Sequence, residues 1–331
     1  MLALTNSPIS GSDGTGAQLV RYATLYSLSR KYKIPWVHSP IVKIDSNPGD
    51  GMQNSESITD FLNELNVFLL KPENVNEFPN SVSKFSIKKT LSKSYLQFLL
   101  QSVSTLSRIY PPILALTLNN PQSYLQYFRD LLVYFSNDYA LPKFKSPKNE
   151  SKSIQIHLHI RGAFHNDRNL DPTLMLSLLH LIQKEVLSRN LGVQITIHTD
   201  IPESSQTWDV PDGQEPGTLH YWNSMGVLNA NNSLQLKEFD FSTWESVLGK
   251  VLILRNLNPL VSWKEMAQAD ILIGCHSSFS LMGALLNSSA LILVPSEIKV
   301  MSHWHEFDSS FTNFQSLSVA VYDYISKIRN I

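Results

Sequence analysis

The clearest pattern in the chain is the alternation at Ile154–Ile160. Ile154, Ile156, Leu158 and Ile160 are separated by Gln155, His157 and His159. Period-two alternation with β-branched residues predicts a strand, and the strand stops at Arg161-Gly162. A polar loop comes next. Asp171 as N-cap and Pro172 at the first helical position then predict a helix to Arg189, closed by Gly192. Further strands are expected at Val193–His198, Val251–Leu254, Asp270–Gly274 and Ala290–Val294, with helices at Pro259–Gln268 and Ser277–Leu286. Strands alternating with helices imply a parallel sheet with helices on its faces. The stretch 202–232, rich in Pro, Gly and Asn, is expected to be a long excursion from it.

The first half repeats the theme less regularly. Met1–Thr5 is expected as a strand, Ser10–Gln18 as a Gly-rich loop, the residues to about Lys33 as a helix and Pro35–His38 as a second strand. That is a βαβ-like unit. Helical periodicity returns at Ile58–Phe68, Ser94–Ser107 and Gln122–Phe135. Leu141–Ser153 sets Pro142 and Pro147 among Lys and Ser and reads as an interdomain linker. Two α/β domains are therefore expected, residues 1–150 and 151–331, with the last helix left open to pack back on the first.

Composition narrows the function classes. The 331 residues are 43% hydrophobic and 17% charged, enough to bury a sizeable core. Lys+Arg is 27 against Asp+Glu 28, which argues against a dedicated nucleic-acid or membrane-surface binder. Cys275 is the single cysteine, so an internal disulfide is excluded and a reducing compartment fits. The N-terminus lacks the basic region and apolar core of a signal peptide, and no apolar run approaches the ~18 residues that span a bilayer. The expectation is a cytoplasmic protein without membrane insertion.

Three places carry candidate chemistry. Arg161 stands just past a strand end, where open α/β sheets bind ligands, and a guanidinium suits a diphosphate. The alternative is an ion pair with a neighbour such as Asp167. In the turn Gly274-Cys275-His276-Ser277-Ser278-Phe279-Ser280, hydroxyls and backbone N–H groups at a helix N-terminus make an anion site. The alternative there is simple capping by Ser277 or Ser278. The Gly loop holds Gly11, Gly14 and Gly16 but neither a dinucleotide fingerprint nor a Walker sequence. Asp13 is its only ionisable residue. His303-Trp304-His305-Glu306 offers ligand spacing without a third site, and there is no D-x-D, so no metal is expected.

Taken in order, the early Gly loop, the strand ending His159-Ile160-Arg161 and the run Ala269-Asp270-Ile271-Leu272-Ile273-Gly274-Cys275-His276-Ser277-Ser278-Phe279-Ser280 resemble the fucosyltransferase superfamily of GT-B glycosyltransferases. That group includes α1,2-, α1,6- and protein O-fucosyltransferases. The likeness covers about a third of the chain in short islands. Arg161 matches the first arginine of the family's H-x-R-R-x-D-like motif, but Gly162, Ala163 and Phe164 stand where the motif has its second arginine and its acid.

The resemblance implies an α/β, GT-B-like fold of two Rossmann-like domains facing a cleft, and an inverting, metal-independent transfer of a sugar to a glycan hydroxyl without a cofactor. It implies GDP-fucose as donor by family default; the truncated motif leaves open a UDP-sugar such as UDP-xylose. On this reading Asp13 is the catalytic base. Gly14, Gly16, His159, Arg161, Asp200, Asp270, His276, Ser277, Ser278 and Phe279 line the donor site, and His38 lies on the acceptor side. A catalytically silent sugar- or nucleotide-binding module is the alternative that the fold alone does not exclude.

Overall fold

The computed structural model describes residues 2–6, 15–41, 55–70, 83–87, 89–107, 114–118, 120–141, 153–161, 171–209, 233–236, 238–255, 257–307 and 314–329. The chain divides into two compact units. One comprises Met1–Asp45, Asn54–Tyr139 and Val300–Ser302; the other Ser46–Gln53, Ala140–Lys299 and His303–Ile331. No helix among the described residues is long and apolar enough to cross a membrane.

The first unit contains β1 (Leu2–Thr5), α1 (Thr15–Tyr32), β2 (Trp36–Val37), α2 (Ser55–Leu69), β3 (Ser83–Ile87), α3 (Lys93–Ser107), β4 (Leu114–Leu118) and α4 (Val133–Tyr139). Its four strands are parallel in the order β2-β1-β4-β3. Helix α1 is buried from Leu19 to Ser29, and Thr24 bonds back to the Val20 carbonyl. Tyr22, Tyr26, Trp36, Phe135 and Tyr139 form one buried aromatic cluster with ring centroids 4.4–6.4 Å apart. Two of their polar ends reach acceptors: Tyr139 donates to the Leu69 carbonyl at 2.9 Å and Tyr26 to Asp138 at 2.6 Å.

Two strands here escape the periodicity. β4 is a five-residue strand, apolar except for Thr117 and buried on both faces, and β3 is the polar edge beside it. The helix expected over 122–135 is broken. A 3-10 turn covers Pro121–Tyr127, Phe128 is extended, and α4 begins only at Val133. Asp130 takes φ 54, a left-handed conformation that short polar side chains tolerate. Phe128, Leu131, Leu132 and Phe135 keep helical spacing and burial across the break, so the apolar pattern does not reveal it.

The second unit contains β5 (Ser153–Ile160), α5 (Pro172–Leu187), β6 (Gly192–Thr199), β7 (Gln206–Asp209), β8 (Ser233–Leu236), α6 (Ser242–Leu248), β9 (Val251–Arg255), α7 (Pro259–Met266), β10 (Ile271–Ile273), α8 (Ser278–Leu286), β11 (Leu291–Pro295), β12 (His305–Phe307) and α9 (Phe314–Arg329). Six strands are parallel in the order β12-β11-β10-β5-β6-β9. The chain runs outward from β5 through β6 to β9, then returns to the other side of β5 with β10. The strand order therefore reverses between β5 and β10, the doubly wound arrangement in which ligands bind beyond the strand ends at the reversal.

One sheet face carries Ile154, Ile156, Leu158, Ile195, Ile197, Ile271 and Leu293 against α5, α6 and α9. The last helix packs on α5 and β12. The other face carries His157, His159, Thr196 and His198, and α7 and α8 lie on that side, where Phe279 meets the His159 ring. The caps named from sequence form, with Asp171 accepting from Thr173 N–H at 2.8 Å and Ser277 from Phe279 N–H at 3.1 Å, and Asn258 adds a third by accepting from Leu260 N–H at 2.9 Å. After α5, however, the left-handed residue is Asn190 (φ 56), and Gly192 begins β6. β7, within the excursion, pairs antiparallel with β8 just beyond it; residues 210–232 lie outside the described residues, as does the linker at 142–152.

Helices α7 and α8 approach closely because Gly283 has no side chain. A Cβ there would stand 2.5 Å from Met266 Sδ and 3.1 Å from its Cβ. Gly283→Ala is expected to cost about 1–3 kcal/mol by overpacking. In a Met266→Ala background the same change should be nearly neutral. Urea unfolding of the two single variants and the double variant measures this coupling, and additive costs would contradict the contact.

Candidate active site

The register of β5 on β6 builds the centre. His159 pairs opposite His198 and Ile160 opposite Thr199, so the next residues, Arg161 and Asp200, meet just past the sheet edge. Arg161 Nε lies 3.7 Å from Asp200 Oδ2, with side chains 20% and 12% exposed. Largely buried charges need this pairing, since removal of either leaves the other uncompensated. Asp167, the partner considered from sequence, lies outside the described residues.

Across the reversal, the turn before α8 is tied to the end of β5. His159 Nδ1 is 2.6 Å from Ser280 Oγ and 3.2 Å from Cys275 Sγ. Cys275 N–H donates to Ser280 Oγ at 3.1 Å. Phe279 stacks on His159 at 5.0 Å, and Trp263 donates its indole N–H to the Phe279 carbonyl at 3.1 Å. Gly274 is required by space: a Cβ there would meet Ser280 Cβ at 3.1 Å and Val294 Cγ1 at 3.3 Å. Burial pushes the Cys275 thiol up to about 11, with Ser280 opposing, so it is neutral near pH 7 and its role is to bind, not to attack. Ser277 spends its hydroxyl on capping, yet the N-terminal amides of α8 still face the strand ends, an anion-favouring position.

Three histidines line the same face of the sheet. His157 Nδ1 and His198 Nε2 are 3.0 Å apart, and His198 Nδ1 is buried with no hydrogen-bond partner among the described residues. Desolvation depresses all three imidazoles. His159 falls to about 3, with Arg161 adding to the effect; His157 and His198 are also lowered, His198 further by its two histidine neighbours.

The structure thus gathers His159, Arg161, Asp200, Cys275, Ser277, Phe279 and Ser280. His276 and Ser278 share the turn, His276 half-buried and Ser278 opening α8. Asp270 does not join them. It sits at the start of β10, accepting from Gln155 N–H at 3.0 Å while its backbone N–H bonds the Gln155 carbonyl and its carbonyl receives Leu291 N–H. About 13 Å of strand separates it from Gly274. It clamps the far edge of the sheet.

In the first unit, Gly16 is buried in the opening turn of α1, and His38 lies edge-on to Tyr22 at 5.8 Å beside the aromatic cluster. Asp13 and Gly14 lie outside the described residues. No group of three His, Cys, Asp or Glu among the described residues could hold a metal ion; Glu306 instead pairs with Lys299 at 3.6 Å.

Sequence reasoning placed Cys275 and Ser280 in the candidate anion turn but not in contact with His159, and it passed over Arg255. Nothing local in the sequence ties Cys275 and Ser280 to His159, more than a hundred residues away. Arg255, charged at the end of an apolar strand, repeats the signal that singled out Arg161.

No family model and no curated protein matches the chain. Among solved structures it is similar to the E. coli heptosyltransferase WaaC with ADP, at 8% identity and TM-score 0.41, over 98% of this chain and 99% of that one. It is similar to the E. coli ADP-heptose lps heptosyltransferase II at 11% identity and TM-score 0.37, over 99% of each. A mutant of Arabidopsis thaliana FUT1 in complex with GDP aligns at 11% identity and TM-score 0.38, over 90% of this chain and 71% of that one. Likeness at this level carries no inference about chemistry.

The buried histidines make stability pH-dependent. Their folded-state values lie below the unfolded value of about 6.5, so below that pH the unfolded chain binds more protons. Stability is expected to fall as pH drops from about 6.5 toward 4, by up to about 1.4 kcal/mol per pH unit for each histidine. His198→Gln should flatten the profile of Tm against pH between 6.5 and 4. An unchanged slope would contradict the assignment.

Proposed function

We propose that the protein is a glycosyltransferase that moves a sugar from a nucleotide-sugar donor to a glycan hydroxyl. The observation that supports this best is the pairing of Arg161 with the N-terminus of α8 across the strand-order reversal between β5 and β10. A guanidinium and a set of oriented backbone amides are donors suited to a diphosphate. Both also stabilise the negative charge that a diphosphate gains as its bond to the sugar breaks, and they do so without reorganising.

The transfer is read as inverting and metal-independent, in keeping with the resemblance of the H-x-R and S-S-F islands to fucosyltransferases. The acceptor oxygen attacks the anomeric carbon from the face opposite the diphosphate, the bond to the diphosphate breaks, and the acceptor proton passes to a base. Asp13 in the Gly loop is the proposed base. Fucose from GDP-fucose is the first donor to test, with UDP-xylose the next.

Arg161→Ala is expected to weaken binding of a nucleoside diphosphate by about 1.5–3 kcal/mol, the cost of a lost charged hydrogen bond. Calorimetric titration checks this, and normal binding by a folded variant would remove Arg161 from the donor site. Asp13→Asn should melt and bind donor as the wild type does, yet transfer sugar about 10²–10⁴ times more slowly. Turnover near wild type in an assay of nucleotide release would exclude Asp13 as base and direct attention to His38.

A further inference from the structure

One arginine at the ligand-facing edge lacks a counter-charge among the described residues. Arg255 ends β9, opposite Thr199. Its Nε is buried and hydrogen-bonds none of them. The guanidinium rests 5.4 Å over the Phe241 ring, which Phe239 and Trp244 hold edge-on at 4.7 and 5.5 Å. A cation–π contact replaces only part of what the buried Nε–H loses with water. The nearby acids have other partners: Asp200 pairs with Arg161, Asp240 accepts from the Ser242 N–H and hydroxyl, and Glu238 receives Ser205 N–H.

The strand order sets where this arginine stands. β9 is separated from β5 by β6 alone, so the backbones at Arg255 and Arg161 stand two strand spacings, about 10 Å, apart along the edge, Arg255 on the face of Thr199 and Phe241 and Arg161 on the face of the histidines. That is the length scale of a nucleoside. A nucleotide whose diphosphate sits at Arg161 and whose nucleoside crosses over the end of β6 from the histidine face to the Phe241 face brings its base to Arg255.

We propose that Arg255 is a ligand-binding residue that takes the acceptor edge of the donor's nucleobase. This rests on the reading of Arg161 as the diphosphate site. A guanidinium offers a planar fork of donors and no acceptor. It matches a base edge that carries a carbonyl, such as O6 with N7 of guanine or O4 of uracil, and it meets another donor in the 6-amino group of adenine. Arg255 thus selects an oxo-base nucleotide over an adenine nucleotide, while Phe241 beneath it holds the guanidinium plane in place.

The test is titration of GDP, UDP, ADP and inorganic pyrophosphate into the wild type, Arg255→Met and Arg255→Lys, with Tm of each variant as the control for folding. The wild type should bind GDP or UDP more tightly than ADP. Arg255→Met should lose about tenfold or more for the preferred oxo-base nucleotide, on the scale of a good bidentate base contact, with ADP and pyrophosphate unchanged. Arg255→Lys, which keeps charge and loses the fork, should fall between, and it decides the matter if Arg255→Met does not fold. Equal loss for pyrophosphate would make Arg255 a phosphate ligand and overturn the proposal, as would unchanged nucleotide binding by either variant or a wild type that prefers ADP. A wild type that binds no nucleoside diphosphate would overturn the nucleotide-sugar reading itself, a result distinct from the failure of Arg255 alone.

Discussion

The hydrogen bond between His159 and Ser280 is the contact on which the site's geometry depends. It joins the end of β5 to the first turn of α8, two elements more than a hundred residues apart in sequence. Ser280 also receives the Cys275 N–H, so one hydroxyl fixes both the backbone of the turn and the ring that ends the strand. With Phe279 lying on His159 and anchored through its carbonyl by Trp263, the helix N-terminus has little freedom to tilt away from the strand ends. An anion site built from backbone dipoles needs that rigidity, because its contribution depends on donors already pointing where charge will develop.

The lock works only while its imidazoles are neutral. Burial keeps them so, and the positive charge of Arg161 next to His159 acts in the same direction. Next to the imidazoles, among the described residues, stand an arginine and an aspartate set level with each other by the parallel register of β5 and β6. A face that packed only aliphatic residues there would be more stable; the polar ladder of His157, His159, Thr196 and His198 exchanges some of that stability for a defined orientation at the sheet edge.

Packing on the opposite face is simpler. Ile154, Ile156, Leu158, Ile195 and Ile197 meet α5, α6 and α9 in one aliphatic core, and the same period of two that sends them inward sends the histidines and Arg161 to the other side. The first unit solves its packing differently, with an aromatic cluster around a helix buried over most of its length.

Much of the second unit was legible in the sequence, because its strands alternate and its helices open with Asp171-Pro172, Asn258-Pro259 and Ser277, where local chemistry decides the boundary. Arg161 and the serine turn were legible for the same reason. Local pattern did not reveal β3 and β4, which are strands only because they pair, nor the break at Asp130, where apolar spacing continues through a change of backbone. It placed Asp270 with the ligand groups although strand direction carries it to the far edge. Tertiary structure alone decided that Arg161 would face Asp200, that Cys275 and Ser280 would close on His159, and that Arg255 would stand without a counter-charge among the described residues. Each of these comes from strand order and register, and those are set by which faces bury together over the whole chain, not by any stretch of it.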